Sequence, residues 1–176
     1  MTPSAFVESW ISRLAGHERS RRAPRRALDV AMGRGRHALV LARCGFQTFG
    51  VDLTHDAVRD AISAAARDGL LVRGWCADLT VSPLPAGAFD LVVVTRYLQR
   101  DLFDSIKTSL RPGGVVIYET FTVAQRASGT GPKSPEHLLG PGELRSFFAG
   151  WDLLFYEEVE TPEAVARLVG RRSFSA

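Results

Sequence analysis

The chain has 176 residues, of which 45% are hydrophobic, and its 22 basic and 19 acidic residues give a net charge of +3. This length supports one sizeable core and is short for two ordinary domains, so we expect a single domain over 1–176. The mild charge disfavours nucleic acid as a partner, and no apolar run reaches the roughly 20 residues of a membrane-spanning helix. Since no signal peptide is recognisable, a cytoplasmic location is expected. The expected oligomeric state is a monomer or a homodimer.

The hydrophobic periodicity predicts helices and strands that alternate along most of the chain. An amphipathic helix is predicted first, over 4–15. The predicted strands cover 26–31, 47–52, 71–76, 89–95, 115–121, 151–159 and 164–169. Further helices are predicted over 35–44, 54–69, 101–110 and 143–148. Arg111-Pro-Gly-Gly114 is predicted to be a turn.

This alternation predicts a parallel sheet with helices on both faces. Only Glu160 to Glu163 separate the last two predicted strands, and so short a join permits an antiparallel hairpin but no parallel crossover. The predicted fold is therefore a three-layer α/β sandwich with a mostly parallel, seven-stranded sheet and an antiparallel last strand.

A glycine-rich turn connects the first predicted strand of this sheet to the helix after it. It reads Asp29-Val-Ala-Met-Gly33-Arg-Gly35-Arg. Glycines let the backbone approach a ligand closely, and the helix that follows offers N–H groups and a positive dipole end. A ligand carboxylate or phosphate can bind there, although a tight structural turn is the simpler alternative.

Two acidic residues follow the next two predicted strands. Asp52 comes seventeen positions after Gly35, where an acidic side chain can accept hydrogen bonds from a ribose diol; the alternative is a role in capping the next helix. Asp78 can accept from an adenine amino group between apolar walls formed by Leu53 and Leu79, or it is simply a surface turn residue.

Together these motifs resemble the class I methyltransferases that depend on S-adenosylmethionine (SAM), and the resemblance covers nearly the whole chain. Further matches are Phe89-Asp-Leu-Val92, Leu110-Arg-Pro-Gly-Gly114 and the terminal hairpin. Ala31 stands where the family has its first glycine, which narrows the room near the methionine end. The resemblance implies a Rossmann-like fold, SAM as cofactor and S-adenosylhomocysteine as product. The cofactor contacts that it implies are Asp29, Ala31, Gly33, Gly35, Asp52, Leu53, Asp78, Leu79 and Thr95.

Within this class, three segments resemble the tellurite-resistance-type methyltransferases: Arg96-Tyr-Leu98, Tyr118-Glu-Thr-Phe121 and Pro141-Gly-Glu-Leu144. The fourth predicted strand lacks the Asn/Asp-Pro-Pro-Tyr signature of enzymes that methylate adenine or glutamine nitrogens. A small-molecule acceptor is therefore favoured.

Methyl transfer from a sulfonium is an in-line displacement that alignment alone can promote, so no obligatory catalytic residue is predicted. Arg96, Tyr97 and Glu119 are candidates for the substrate side, and Arg96 with Arg100 can hold an anionic substrate. Surface ion pairs are the alternative for the two arginines. The long segment 122–140 is predicted to cover the pocket, and the helix over 4–15 either closes its other side or simply packs on the sheet.

Metal chemistry is not indicated, because the four histidines are scattered and Cys44 and Cys76 have neither metal-ligand nor disulfide spacing. Both cysteines are expected to be buried thiols. A nicotinamide-dependent oxidoreductase is an alternative, since the run from Gly33 to Ala38 also fits G-x-G-x-x-A, but Asp29, Asp78 and the terminal hairpin oppose it. A SAM-binding module without transfer activity is a further alternative.

Overall fold

The computed structural model describes residues 2–16, 24–128 and 130–174. The sequence has a basic stretch just before the first strand, made of Arg19, Arg21, Arg22, Arg25 and Arg26, and its first three arginines lie outside the described residues. The strands are β1 Arg26–Val30, β2 Gln47–Asp52, β3 Val72–Cys76, β4 Phe89–Thr95, β5 Leu110–Phe121, β6 Asp152–Val159 and β7 Val165–Arg171. The helices are α1 Ala5–Gly16, α2 Arg36–Arg43, α3 His55–Arg67, α4 Phe103–Ser109 and α5 Glu143–Phe147.

The seven strands form one sheet in the order β3-β2-β1-β4-β5-β7-β6. Strands β1 to β5 run parallel, whereas β7 is antiparallel to both β5 and β6. This confirms the predicted mostly parallel sheet with an antiparallel last strand. The last strand does not form the edge, however, because β7 inserts between β5 and β6 and leaves β6 outermost.

Helices cover both faces of the sheet, as parallel strands require. In β4, Leu91 and Val93 pack with α1 and α2 on one face, whereas Val92 and Val94 pack with α4 and α5 on the other. Helix α3 extends the first layer over β2 and β3. Both alternating sets of β4 are fully buried, which explains why its sequence is an almost unbroken apolar run.

The expectations for one turn and for the two cysteines were wrong. The Arg-Pro-Gly-Gly turn belongs to the irregular start of β5, where Leu110 pairs with Phe89 and the register then shifts. Cys44 is half-buried and Cys76 is exposed, because Cys76 ends β3 at the edge of the sheet.

No described helix is long and apolar enough to cross a membrane.

Candidate functional site

The turn between β1 and α2 has three alternate residues in the left-handed region of backbone space. Their φ angles are +51° at Ala31, +55° at Gly33 and +77° at Gly35. A Cβ added to Gly35 would lie 2.7 Å from the Cβ of Ala61 on α3, whereas a Cβ added to Gly33 would meet nothing within 4 Å. Gly35 is therefore needed for close helix packing, whereas Gly33 leaves open space beside the turn.

Replacing Gly33 with Ala should lower the free energy of unfolding by about 1 kcal/mol, because an alanine pays a cost in the left-handed region that glycine avoids. Ala31→Gly is the matched opposite change. It should raise the free energy of unfolding by a similar amount, because it relieves at Ala31 the same net cost that alanine would pay at position 33. Urea titration of both variants measures the difference, and equal stabilities of the two would contradict it.

Asp52 fastens this turn to the end of β2. One carboxylate oxygen accepts a hydrogen bond from the Gly33 N–H at 2.8 Å, and the other accepts from the Thr54 N–H at 2.9 Å. Thr54 precedes α3 but forms no side-chain cap. Because each carboxylate oxygen has two acceptor positions, Asp52 can hold the turn and still accept from a ribose hydroxyl. Its ribose contact stays a prediction.

Asp29 lies at the sheet side of the same turn and is completely buried. Its Oδ2 accepts from the Ala38 N–H at 2.9 Å, while Oδ1 is buried without a hydrogen-bond partner among the described residues. Burial raises the pKa of Asp29 to about 7, against the lowering effects of the Ala38 hydrogen bond and the Arg36 charge. A buried acceptor without a donor is costly, so this oxygen suits a donor that a ligand brings.

The predicted adenine contacts follow β2 and β3. Leu79 is buried and Leu53 is 67% exposed, so only Leu53 leaves a large apolar surface for a ligand to cover. Asp78 is exposed, and its Oδ1 accepts from both the N–H and the hydroxyl of Thr80, which lowers its pKa. Asp78 is thus a surface turn residue, which is the alternative that the sequence analysis gave for it, and its contact with adenine stays a prediction.

Thr95 ends β4 and contacts a histidine that the sequence analysis overlooked. Its hydroxyl lies 3.1 Å from Nδ1 of His37, and His37 Nε2 accepts from the Ser4 N–H at 3.0 Å. Burial lowers the pKa of His37 to about 3, with further lowering by the charges of Arg36 and Arg96. The imidazole is therefore neutral at physiological pH.

Two of the three substrate-side candidates are brought together. The Arg96 N–H donates to the Glu119 carbonyl at 2.8 Å, and the Arg96 guanidinium pairs with Glu163 at 2.6 Å. The buried carboxylate of Glu119 pairs with Arg167 at 2.7 Å, and Arg167 also reaches Glu157 at 2.8 Å. These ion pairs occupy the charged ends of β5, β6 and β7 on the α1 face of the sheet.

Tyr97 points elsewhere. Its hydroxyl donates to the side-chain oxygen of Gln99, whose amide donates to the Leu79 carbonyl at 3.0 Å. Burial raises the pKa of Tyr97, with smaller contributions from the charges of Asp101, Asp78 and Asp52. Tyr97 thus lies on the side of the predicted adenine contacts.

Two further arginines lie near the site. Arg100 forms a two-pronged ion pair with Glu143 at 2.6 and 3.0 Å, as in the alternative considered for it. Arg36, which the sequence analysis did not single out, is half-buried at the start of α2 and lies 3.5 Å from the Thr2 carbonyl. Burial and the charge of Arg96 lower its pKa. Among the described residues, the Arg36 guanidinium forms no ion pair, unlike those of Arg96 and Arg100, so its charge is the one available to a ligand at this edge.

The segment 122–140 is anchored at both of its ends. Thr122 bridges to Leu139, and short 3₁₀ turns form at Val123–Ala127 and Pro135–His137. The buried Gln125 donates to the Thr130 carbonyl at 3.0 Å and accepts from the Ala164 N–H at 2.7 Å. Its role as a cover stays a prediction, as does the similar role of α1.

A parallel sheet with a glycine turn after β1, and with an acidic residue after β2 that holds this turn, defines an α/β protein of the class that binds nucleoside cofactors. A family model described as a methyltransferase domain matches residues 27–114, which is half of the chain. The chain belongs to this family, the class I SAM-dependent methyltransferases.

Two curated relatives show the range of this similarity. Hemagglutinin 1 of Eikenella corrodens is 30% identical over 144 residues, which cover 77% of this chain and 47% of the relative. Ubiquinone biosynthesis O-methyltransferase of Caulobacter sp. (strain K31) is 29% identical over 174 residues, which cover 86% of this chain and 67% of the relative. The chain therefore spans about half the length of the first of them and two thirds of the second.

Solved structures share the fold. An S-adenosylmethionine dependent methyltransferase from Mesorhizobium loti has a TM-score of 0.70 at 18% identity, covering 94% of this chain and 98% of its own. TehB from Haemophilus influenzae has a TM-score of 0.70 at 16% identity, covering 94% of this chain and 62% of its own. At the level of the fold, TehB agrees with the tellurite-resistance-type resemblance.

Proposed function

We propose that the protein is an enzyme that transfers the methyl group of SAM to a small-molecule acceptor and releases S-adenosylhomocysteine. The observation that carries this proposal is the turn itself: Asp52 holds Gly33 in place, and Asp29 Oδ1 beside it is buried with no hydrogen-bond donor among the described residues. An α-ammonium group is the kind of donor that this oxygen fits, and SAM has one on its amino-acid end.

The residues of the chain suit the recognition of such a molecule. Asp29 accepts from the ammonium, Asp52 accepts from the ribose, and the exposed face of Leu53 covers one side of the adenine. Arg36 and Thr95 lie at the amino-acid end, next to Asp29. Bound SAM supplies an electrophilic methyl group, and the protein contributes by holding the acceptor in line with it and by excluding water.

A small acceptor is supported by the crowding of the substrate edge. Ser4 bonds to His37, and the ring of Phe6 lies 5.4 Å from the Arg167 guanidinium, so the start of α1 lies against this edge. The relative from Caulobacter is named for ubiquinone biosynthesis, which accords with a small organic acceptor. The charged groups there, Arg36 and Arg96, favour an acceptor that carries negative charge or polar oxygens.

Calorimetric titration tests the first part of the proposal. SAM and S-adenosylhomocysteine should bind, and NAD or NADP should not, because both sulfur ligands carry an α-ammonium group for Asp29 and the nicotinamide cofactors have none. Release of S-adenosylhomocysteine, screened across thiols, oxyanions and amines, then tests transfer. Absence of binding of either sulfur ligand would overturn the proposal, and binding without release across the screen would favour a module without transfer activity.

Arg96→Ala tests the substrate side. It should lower turnover or raise the KM for the acceptor while leaving SAM affinity within about 1 kcal/mol, because the nucleoside is held by other residues. Arg145→Ala is a control, since Arg145 is an exposed arginine on α5. A full transfer rate in the Arg96→Ala variant would contradict the assignment.

A further inference from the structure

A chain of hydrogen bonds joins the start of α1, the first turn of α2 and the end of β4. The Ser4 N–H donates to His37 Nε2, and His37 Nδ1 lies 3.1 Å from the Thr95 hydroxyl. His37 is 1% exposed and Thr95 is 8% exposed, so water does not compete for these bonds. The partners are 33 and 58 residues away from His37 in sequence, so this series of hydrogen bonds exists only in the folded protein.

The direction of each bond in this chain can be deduced. A backbone amide only donates, so Nε2 of His37 must be the unprotonated nitrogen. The ring is neutral, because burial and the charges of Arg36 and Arg96 lower the pKa of His37 to about 3. A neutral ring with a bare Nε2 carries its proton on Nδ1, and the Thr95 oxygen must then accept from it. The hydroxyl proton of Thr95 is consequently turned away from His37.

The place of Thr95 in the sheet shows where this proton can be used. Val30, the last residue of β1, pairs with Val94, so Thr95 lies one residue beyond the paired ends of the two central strands. Ligands of open parallel sheets bind at this carboxyl edge, beside the strand where the order reverses. Among the described residues the hydroxyl has no hydrogen-bond partner other than His37.

We propose that His37 is a positioning residue that holds the Thr95 hydroxyl as a hydrogen-bond donor to an oxygen atom of the bound ligand, and that ties this donor to the docking of α1. The proposal deepens the proposed function and rests on it, since the donor faces the cofactor and substrate edge. Two oxygens have the required chemistry: the carboxylate of the amino-acid end of SAM, and a negatively charged or polar oxygen of the acceptor.

The connection to α1 follows from the second bond of the imidazole. The N–H group that donates to His37 belongs to Ser4, immediately before α1. Two residues later, the ring centroid of Phe6 lies 5.3 Å from that of Phe155 on β6. When a ligand accepts from Thr95, each bond in the chain polarises the next, so the bond from Ser4 becomes stronger. Ligand binding should therefore slow amide exchange at the start of α1.

The first experiment needs no ligand. Nitrogen-15 chemical shifts of His37 in the wild-type protein at pH 7 should show a neutral ring with the proton on Nδ1 and a bare Nε2. A ring protonated on Nε2, or a charged imidazolium, would overturn the proposal regardless of the protein's activity. This measurement uses the wild-type protein, so it does not depend on whether any His37 variant folds.

The second experiment compares two ligands in two Thr95 variants. Thr95→Val removes the hydroxyl and keeps the shape, whereas Thr95→Ser keeps the hydroxyl. Thr95→Val should weaken S-adenosylhomocysteine binding about tenfold, because a hydrogen bond to a charged oxygen is lost. Binding of 5′-methylthioadenosine, which lacks the amino-acid end, should stay within about twofold, and Thr95→Ser should resemble the wild type. Thr48→Val is the control, since Thr48 is buried in β2 and its hydroxyl donates to Phe46.

The outcomes separate the two sources of oxygen and the two proposals. Weaker binding of S-adenosylhomocysteine identifies the amino-acid carboxylate, whereas unchanged binding with at least a tenfold higher KM for the acceptor identifies the acceptor's oxygen. If Thr95→Val changes neither, or if wild-type ligand binding does not slow exchange at 5–8, the positioning role is wrong although the methyltransferase proposal survives. If the wild type binds no sulfur ligand, the methyltransferase proposal fails first.

Discussion

SAM affinity is expected to rise with pH up to about pH 7 and then level off, and Asp29→Asn should abolish this dependence. Burial raises the pKa of Asp29 to about 7, so in the free protein the carboxyl is largely protonated at pH 6. The ligand's ammonium needs the carboxylate form, so binding below pH 7 must first remove that proton. Affinity should change up to about tenfold per pH unit in this range. Calorimetry between pH 5.5 and pH 8.5 measures it.

The same residue should make the free protein less stable as the pH rises. The folded state holds the Asp29 proton more tightly than the unfolded state, whose carboxyl titrates near 3.8. The carboxylate therefore destabilises the fold progressively between about pH 4 and pH 7, and the destabilisation is absent below this range. Asp29→Asn should be more stable than the wild type at pH 8, by as much as about 4 kcal/mol, and equal to it near pH 4.

Asp56→Asn is the control for both measurements, because Asp56 is an exposed carboxylate in the first turn of α3. Its change should leave the pH profiles of affinity and stability unaltered. A wild-type affinity that is flat across pH 7, or an Asp29→Asn variant less stable than the wild type at pH 8, would mean that the orphaned oxygen has a different role.

Asp52→Ala should weaken SAM binding by about 1 to 3 kcal/mol, which is about 5- to 150-fold in Kd. The change removes the acceptor for the ribose and at the same time frees the Gly33 N–H, so the turn keeps its attachment to β2 only through the Met32 N–H, which donates to the Val51 carbonyl. Asp52→Asn should weaken binding nearly as much. The carboxylate accepts hydrogen bonds from two backbone N–H groups, and the NH₂ group of the asparagine would face one of them as a second donor. Asp56→Ala again serves as the control. Unchanged affinity in a folded Asp52→Ala variant would refute the role.

The strand pattern could be predicted because it depends on local signals. The apolar runs of β1 and β4, the glycine turn and the short join before β7 each limit the chain to few conformations, and all agree with the observed sheet. The position of β7 between β5 and β6 could not be predicted, because a hairpin fixes the pairing of its own two strands and leaves open which of them meets the rest of the sheet.

The site residues divide in the same way. Gly33 and Asp52 were predicted from position alone, and the structure joins them by a hydrogen bond. His37 and Arg36 were overlooked because both read as ordinary residues of a helix start. The contacts that single them out, Ser4 and Thr95 for His37 and Thr2 for Arg36, form only in the tertiary fold. In the sequence, the position of Arg36 and His37 directly after the glycine turn was the signal that could have pointed to them.

The attachments of the segment after β5 bear on the rate of the proposed methyl transfer. Gln125 fixes one end of this segment to Ala164, and Arg100 fixes the other by donating to the Leu138 carbonyl at 3.0 Å while it pairs with Glu143. If this segment covers the site, it cannot swing on a free hinge, since opening must break bonds at an anchored end. Opening is then a local unfolding event with its own barrier. Under that barrier, departure of the product would set the turnover rate, and the first turnover would appear as a burst.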